Sequence, residues 1–283
     1  MKSVDVAAGT VEYRELGDPA GPPVVLLHGL LMNDAQWDLA LPHLPSGFRY
    51  LLPVLPLGGH RVPMRPDADL TMPGMVGILA DFLDALDLSD VTLVVTDWGG
   101  PLFLTDTGCD ARIGRLVICP CEAFDNFPPG FPGKVVALAV RTDLTVRATL
   151  RMLKAGWLRR QYPIFGMMAK SPVPQRIVDA WLAPALADRR IRRDLVKYCR
   201  TRFDRGELIR ATNALSGFAG PALVLWSDNP VMPRSHAERL AALLRGARRR
   251  HIDDAYVLTM LDQPERTAAE IGAFLRQSRS VAP

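Results

Sequence analysis

Thr96-Asp97-Trp98-Gly99-Gly100 follows the apolar run Leu93-Val94-Val95 and precedes Pro101-Leu102. A buried strand, a tight polar turn and a glycine-eased helix start hold one side chain, that of Asp97, at the strand end above the sheet. A serine there would do acyl chemistry. An aspartate instead attacks a saturated carbon by displacement, forming an alkyl ester that is later hydrolysed at its carbonyl. The plain alternative is a strand-end aspartate that only caps the helix.

Such a side chain is useful only if a sheet positions it. Val24-Val25-Leu26-Leu27, Tyr50-Leu51-Leu52, Val91 to Val95, Leu116-Val117-Ile118 and Ala222 to Trp226 are short continuous apolar runs, the pattern of strands buried on both faces. Helix-period segments separate them: Ala35 to Leu44, Met75 to Leu86, Pro101 to Asp110, His236 to Leu244 and Glu265 to Arg276. Val4 to Val6 and Val11 to Tyr13 read as a hairpin edging the sheet. This alternation predicts an α/β fold with a mostly parallel, doubly wound sheet. From about Phe124 to Phe218 no buried strand is visible, only helical pieces such as Val135 to Leu153 and Gln175 to Leu186. The expected organisation is a core of residues 1–123 and 219–283 carrying an inserted helical lid, 124–218.

Composition narrows the function classes. With 48% hydrophobic and 23% charged residues among 283, the chain has an ordinary globular balance. Net charge is only +4, and the basic clusters Arg189 to Arg193 and Arg245 to Arg250 read as solvated helix faces or helix ends, without the interleaved aromatics of a nucleic-acid surface. No nucleic-acid partner is expected. Cys109, Cys119, Cys121 and Cys199 lack metal-ligand spacing and read as reduced thiols. Neither a signal peptide nor a membrane-length apolar run is visible, so the expectation is a cytoplasmic protein, monomer or homodimer, free of membrane, cofactor and metal.

Val94-Val95-Thr96-Asp97-Trp98-Gly99-Gly100 resembles the nucleophile segment of the haloalkane dehalogenases and epoxide hydrolases, members of the α/β-hydrolase superfamily. That resemblance implies an eight-stranded α/β-hydrolase sheet with Asp97 as nucleophile. Val24 to Leu30, followed by Trp37, is similar to the superfamily's His-Gly loop, which implies an oxyanion hole from the backbone N–H groups of Leu30 and Trp98. His28 then braces the loop or lines the substrate site. The dehalogenases carry asparagine or glutamate after this His-Gly, where Leu30 stands here, so Trp98 supplies only half of the usual halide site.

The superfamily's acid follows its sixth or seventh strand, and Glu122 and Asp228 occupy those two places. The histidine that such an acid orients is missing. Ile252 to Leu258 aligns with the family's Pro-Asp-x-Gly-His stretch so that Val257 falls on the histidine, with Tyr256 beside it. His251 lies six residues earlier. His60, in Leu57-Gly58-Gly59-His60-Arg61, is the candidate substitute base. Trp157, Tyr162, Phe165, Met167, Met168 and Trp181 are expected to line an apolar pocket for a small neutral hydrophobic substrate, with Tyr162 or Tyr198 donating to an opening ring oxygen. Three functions follow from this set of residues. One is opening of an epoxide- or halide-like carbon by Asp97. The others are a non-hydrolytic isomerase, lyase or cyclase using Asp97 as acid or base, and a catalytically silent small-molecule-binding protein.

Overall fold

The computed structural model describes residues 1–159, 165–202 and 204–279. Among them eight strands form one sheet: β1 (Lys2–Val6), β2 (Gly9–Gly17), β3 (Pro23–Leu26), β4 (Arg49–Pro53), β5 (Val91–Asp97), β6 (Ile113–Cys121), β7 (Ala222–Trp226) and β8 (Arg248–His251). Their order is β1-β2-β4-β3-β5-β6-β7-β8. β1 and β2 make the expected hairpin, β2 runs antiparallel to β4, and every neighbouring pair from β4 to β8 is parallel.

Helix α1 (Met72–Ala85) joins β4 to β5. Between β6 and β7 lie α2 (Gly130–Ala139), α3 (Asp143–Lys154), α4 (Gly156–Arg159), α5 (Gln175–Ala187), α6 (Arg189–Cys199) and α7 (Arg205–Asn213). Helix α8 (Arg234–Leu243) precedes β8, and α9 (Thr259–Asp262) and α10 (Pro264–Arg279) follow it. No helix among the described residues is long and apolar enough to cross a membrane.

All seven residues of β5 are buried, as a central parallel strand requires. Val91, Leu93 and Val95 pack on one face with Met75, Leu79 and Phe82 of α1. Val94 packs on the other with Ile271 and Phe274 of α10 and Trp181 and Leu195 of the helical insert. The chain leaves β3 for β4 on one side and reaches β5 on the other, so β3 and β5 are neighbours whose connections diverge. Side chains and loops at the carboxyl ends of two such strands face a natural crevice. The His28-Gly29 loop and Asp97 occupy those two ends.

Several expected elements take another form. Ala35 to Leu44 is not one helix but two 3-10 turns, Asp34–Trp37 and Leu41–His43, because Pro42 removes a donor within the span. The helix expected over Pro101 to Asp110 is a single 3-10 turn, Gly100–Phe103. Beyond it the Thr107 hydroxyl bonds back to the carbonyls of Phe103 and Leu104, and Gly108 takes φ 70°. Val135 to Leu153 breaks before Thr142, which caps α3 reciprocally with Thr145. The second basic cluster begins just past the end of α8 at Arg245, but Arg248 to Arg250 enter β8, all four residues of which are exposed, a charged strand that closes the sheet's edge. In the first cluster Arg192 is buried against Asp143 at 2.6 Å and the Ala185 carbonyl at 2.7 Å, so it is only partly a solvated face.

One carboxylate ties the insert to the loop after β8. Asp262 accepts the backbone N–H groups of Lys170 and Tyr256 at 2.9 Å on one oxygen and of Ser171 at 2.8 Å on the other. Just beside it the Leu258 N–H donates to the Met168 carbonyl at 2.9 Å. Removing the carboxylate leaves three donors unmet, so Asp262→Ala is expected to lower stability by about 3 kcal/mol in urea unfolding. A loss below about 1 kcal/mol would mean that the insert is held by its apolar contacts alone.

Candidate active site

Asp97 ends β5 with φ 57°, a left-handed conformation that costs a residue with a Cβ about 1–2 kcal/mol. The turn directs the carboxyl out of the strand's pleat. Across from it the β5–β6 register slips: Val95 pairs with Ile118, but Asp97 pairs with Cys121, so β6 carries one extra residue. That slip brings the next residue alongside. Glu122 donates its N–H to the Asp97 carbonyl at 3.0 Å, and its Oε2 accepts the Gly99 N–H at 3.4 Å. A Cβ on Gly99 would stand 1.9 Å from the Glu122 carbonyl oxygen, so only glycine admits this approach.

From the β3 side, the Leu30 N–H donates to Asp97 Oδ2 at 2.9 Å. The loop that aims it is tied down at every step. His28 Nδ1 donates to the Gly29 carbonyl at 2.9 Å, while Nε2 accepts from the Leu55 N–H at 2.9 Å. Gly29 donates to Gln36 Oε1 at 2.9 Å, and the Trp37 indole donates to the Leu27 carbonyl at 2.7 Å. With no exposed surface and both nitrogens engaged, His28 is a brace. Burial lowers its pKa to about 4, so the ring is neutral at pH 7.

Asp97 is 6% exposed, and burial raises its pKa to about 6 against the opposing pull of the Leu30 N–H. Glu122 is held well above the usual carboxylate range, first by burial and then by the Asp97 charge, with the Gly99 N–H opposing. The Asp97 charge thus opposes ionisation of Glu122, so the pair favours a single charge. Tyr198, from α6, lies buried against the same group: burial and the charges of Glu122 and Cys199 push its hydroxyl far above 10. The Trp98 indole N–H approaches that hydroxyl without closing a hydrogen bond of normal geometry. Two acids, Asp97 and Glu122, thus lie together with two neutral donors, the Tyr198 hydroxyl and the Trp98 indole.

Val257 is fully buried in the apolar cluster that also holds Trp98, Met167, Tyr198 and Met232. No base stands there. The expectation of a substitute base at His60 is corrected: Nε2 meets Asp194 Oδ2 at 3.2 Å and Nδ1 accepts from the Gly58 N–H at 3.4 Å. Asp194 in turn accepts from the Met64 N–H and pairs with Arg193, so His60 binds α6 to the loop after β4. Asp228 is likewise corrected as the acid, since it is an exposed side chain near His251 at 3.8 Å and Arg234 at 3.9 Å. The remaining histidines sit beside Glu265 (His43) and Asp125 (His236).

Among the expected pocket residues, Trp157 is 70% exposed on α4 and does not line an enclosed space. Trp181 is fully buried in the cluster under the other sheet face, Met167 packs beside Val257, and Tyr162 lies outside the described residues. Tyr256 is partly buried near Lys170, its carbonyl accepting from Ser227 Oγ at 2.6 Å. Asp262 and Asp194 escape a reading of the sequence because the partners that tie them across the fold, Lys170 and His60, lie 92 and 134 residues away in the chain. Among the described residues no group of three or more His, Cys, Asp or Glu is placed to hold a metal ion.

A profile of the alpha/beta hydrolase family matches residues 24–270. A haloalkane dehalogenase of Mycobacterium marinum is 32% identical over 201 residues, 62% of this chain and 62% of that protein. One from Mesorhizobium japonicum is 36% identical over 99 residues, 35% of this chain and 31% of the relative. The chain thus matches less than two thirds of the length of these relatives. Among solved structures, haloalkane dehalogenase DbeA from Bradyrhizobium elkani superposes with a TM-score of 0.78 at 17% identity, covering 99% of each chain. A thermophilic esterase from Thermogutta terrifontis gives 0.70 at 20% identity, covering 98% of each. Proteins with differently named activities share this fold, so chemistry has to be argued from the site.

Proposed function

The chain belongs to the alpha/beta hydrolase family, and on that footing we propose that it is an enzyme in which Asp97 opens an epoxide- or halide-like carbon electrophile. The observation that carries this reading is the placement of the Asp97 carboxylate. One oxygen rests on the Leu30 N–H at 2.9 Å, which leaves the other to attack. Attack forms an ester between Asp97 and the substrate carbon while the carbon–leaving-group bond breaks. The same Leu30 N–H then stabilises the oxyanion formed when water adds to the ester carbonyl.

The surroundings favour a small, neutral, hydrophobic substrate. Trp98, Met167, Tyr198 and Val257 share one apolar cluster around the elbow, and the insert, residues 124–218, serves as the lid over it. The Trp98 indole N–H and the Tyr198 hydroxyl are the neutral donors available to a leaving atom. The haloalkane dehalogenase relatives support carbon–heteroatom displacement as the reaction class.

Turnover in water enriched in heavy oxygen is expected to place the label in Asp97, because the incoming water oxygen is shared between the regenerated carboxylate and later products. Peptide mass analysis of the segment around Asp97 reads it. Active turnover with no label in Asp97 would sink the reading. A second reading rests on Val257: with no histidine at that place, Asp97 acts as an acid or base in an isomerase or lyase. It requires a product that contains no solvent oxygen.

A further inference from the structure

We propose that Glu122 performs the proton transfers itself, acting as the acid that protonates the leaving oxygen and then as the base that activates water, and that the substrate is therefore an epoxide. This rests on the reading of Asp97 as nucleophile. Three observations place Glu122 on the turn that carries Asp97. Its Oε2 is held by the N–H of Gly99, two residues beyond Asp97 on the same turn. Its backbone packs on that turn through the Asp97 carbonyl and the bare Cα of Gly99. Its side chain shares the enclosure of Asp97, Cys121, Tyr198 and Cys199, whose interactions with it are all felt electrostatically.

The five histidines of the chain are engaged elsewhere, by backbone groups or carboxylates on other elements. Val257 closes the position from which a histidine would act. An acid that had only a histidine to orient would have no purpose here. Glu122 is left as the acid packed on the turn that carries Asp97.

The proton balance selects the substrate. With Asp97 ionised and Glu122 protonated, Asp97 attacks a ring carbon, the carbon–oxygen bond breaks, and the ring oxygen takes the Glu122 proton to become a hydroxyl. Esterification removes the Asp97 charge that had raised the affinity of Glu122 for its proton, so the new Glu122 carboxylate is at ease. It then takes a proton from water as the water oxygen adds to the ester carbonyl. Collapse of the tetrahedral adduct expels the substrate oxygen, which recovers that proton from Glu122. Asp97 is then the acid and Glu122 the carboxylate, and passage of the Asp97 proton to Glu122 restores the starting pair, so that the sum is epoxide plus water giving a diol. A halide leaving as an anion needs no proton, so the acid form of Glu122 serves no purpose in its departure.

The test uses the full chain and Glu122→Gln, a neutral isostere of the acid form that keeps an acceptor for the Gly99 N–H. Glu122→Asp is the conservative control, and melting curves confirm folding. With styrene oxide, Glu122→Gln is expected to consume substrate at least about 100-fold more slowly than wild type, with Glu122→Asp recovering part of the loss. With 1-bromohexane the Glu122 proton passes to solvent once esterification has removed the Asp97 charge, and Glu122→Gln should still gain one hexyl group on Asp97 and hold it at least about 100-fold longer than wild type, as followed by intact mass. Epoxide opening by Glu122→Gln at the wild-type rate, or hexyl ester clearing equally fast in both, would overturn the role of Glu122. Absence of any adduct or turnover in wild type and variant with both probes would instead overturn the Asp97 reading on which it rests.

Discussion

Asp97→Asn is expected to do two opposite things: cut epoxide turnover by about a thousandfold or more, and make the fold more stable at pH 8. The catalytic loss follows from removing the oxygen proposed to attack. The gain in stability follows from burial. A carboxyl that titrates at about 6 in the folded chain, against 3.8 for an ordinary one, binds its proton more tightly when folded, so ionisation favours unfolding. The penalty is absent below about pH 4, grows as pH rises through 6, and reaches about 3 kcal/mol once both forms are ionised. Asparagine stays neutral throughout and still offers an oxygen to the Leu30 N–H. The variant should therefore melt several degrees above wild type at pH 8 and together with it at pH 4. Glu122 acts in the same direction, because its own raised proton affinity includes the Asp97 charge that the variant removes. A stability gain that does not change with pH would show that the elbow carboxylate is not its source.

The segments legible in the amino-acid sequence are those whose chemistry is local. Leu93 to Gly100 announces a buried strand ending in a strained turn because apolar residues, one acid and two glycines are contiguous, and Asp97 is found at φ 57°. The central strands are legible for the same reason, since a fully buried parallel strand is a continuous apolar run. β8 is not, because Arg248 to His251 holds its place through backbone pairing to β7 and carries no apolar signal. The helix expected after the elbow is too long: an apolar period over Leu102 to Leu104 says nothing of Thr107 turning its hydroxyl back onto the chain. His60 shows the limit for a site residue. Its position on a loop after β4 fits a base, but its partner Asp194 sits on α6, and only the three-dimensional packing of the insert commits the ring. The placement of Glu122 beside Asp97 depends on one extra residue in β6, a register shift that no composition reveals.

Gly29→Ala tests the geometry from the opposite strand, with an effect on activity expected to rival loss of a catalytic group. Gly29 lies between the brace His28 and the donor Leu30, and a Cβ there would stand 1.9 Å from Asp97 Oδ2, 2.5 Å from Cγ and 2.6 Å from Cβ. A short side chain on a strained turn cannot swing clear of three such contacts. The loop is equally fixed, through the Gly29 N–H on Gln36 and the Leu31 N–H on the Leu57 carbonyl at 2.8 Å. One of the two must move, and either movement lengthens the Leu30–Asp97 hydrogen bond. Turnover is expected to fall by about 100-fold to 1,000-fold, the cost of losing one preorganised donor at a developing oxyanion. Stability should fall by about 1–3 kcal/mol, as for other overpacked sites. The two losses separate in a double variant. In Asp97→Ala the colliding carboxyl is gone, so adding Gly29→Ala should then cost less stability than it does in wild type, read as a coupling energy from urea unfolding of the four chains. Equal cost in both backgrounds would mean that Gly29 is required by its own loop and not by the carboxylate opposite, and Leu30 would lose its claim to the oxyanion.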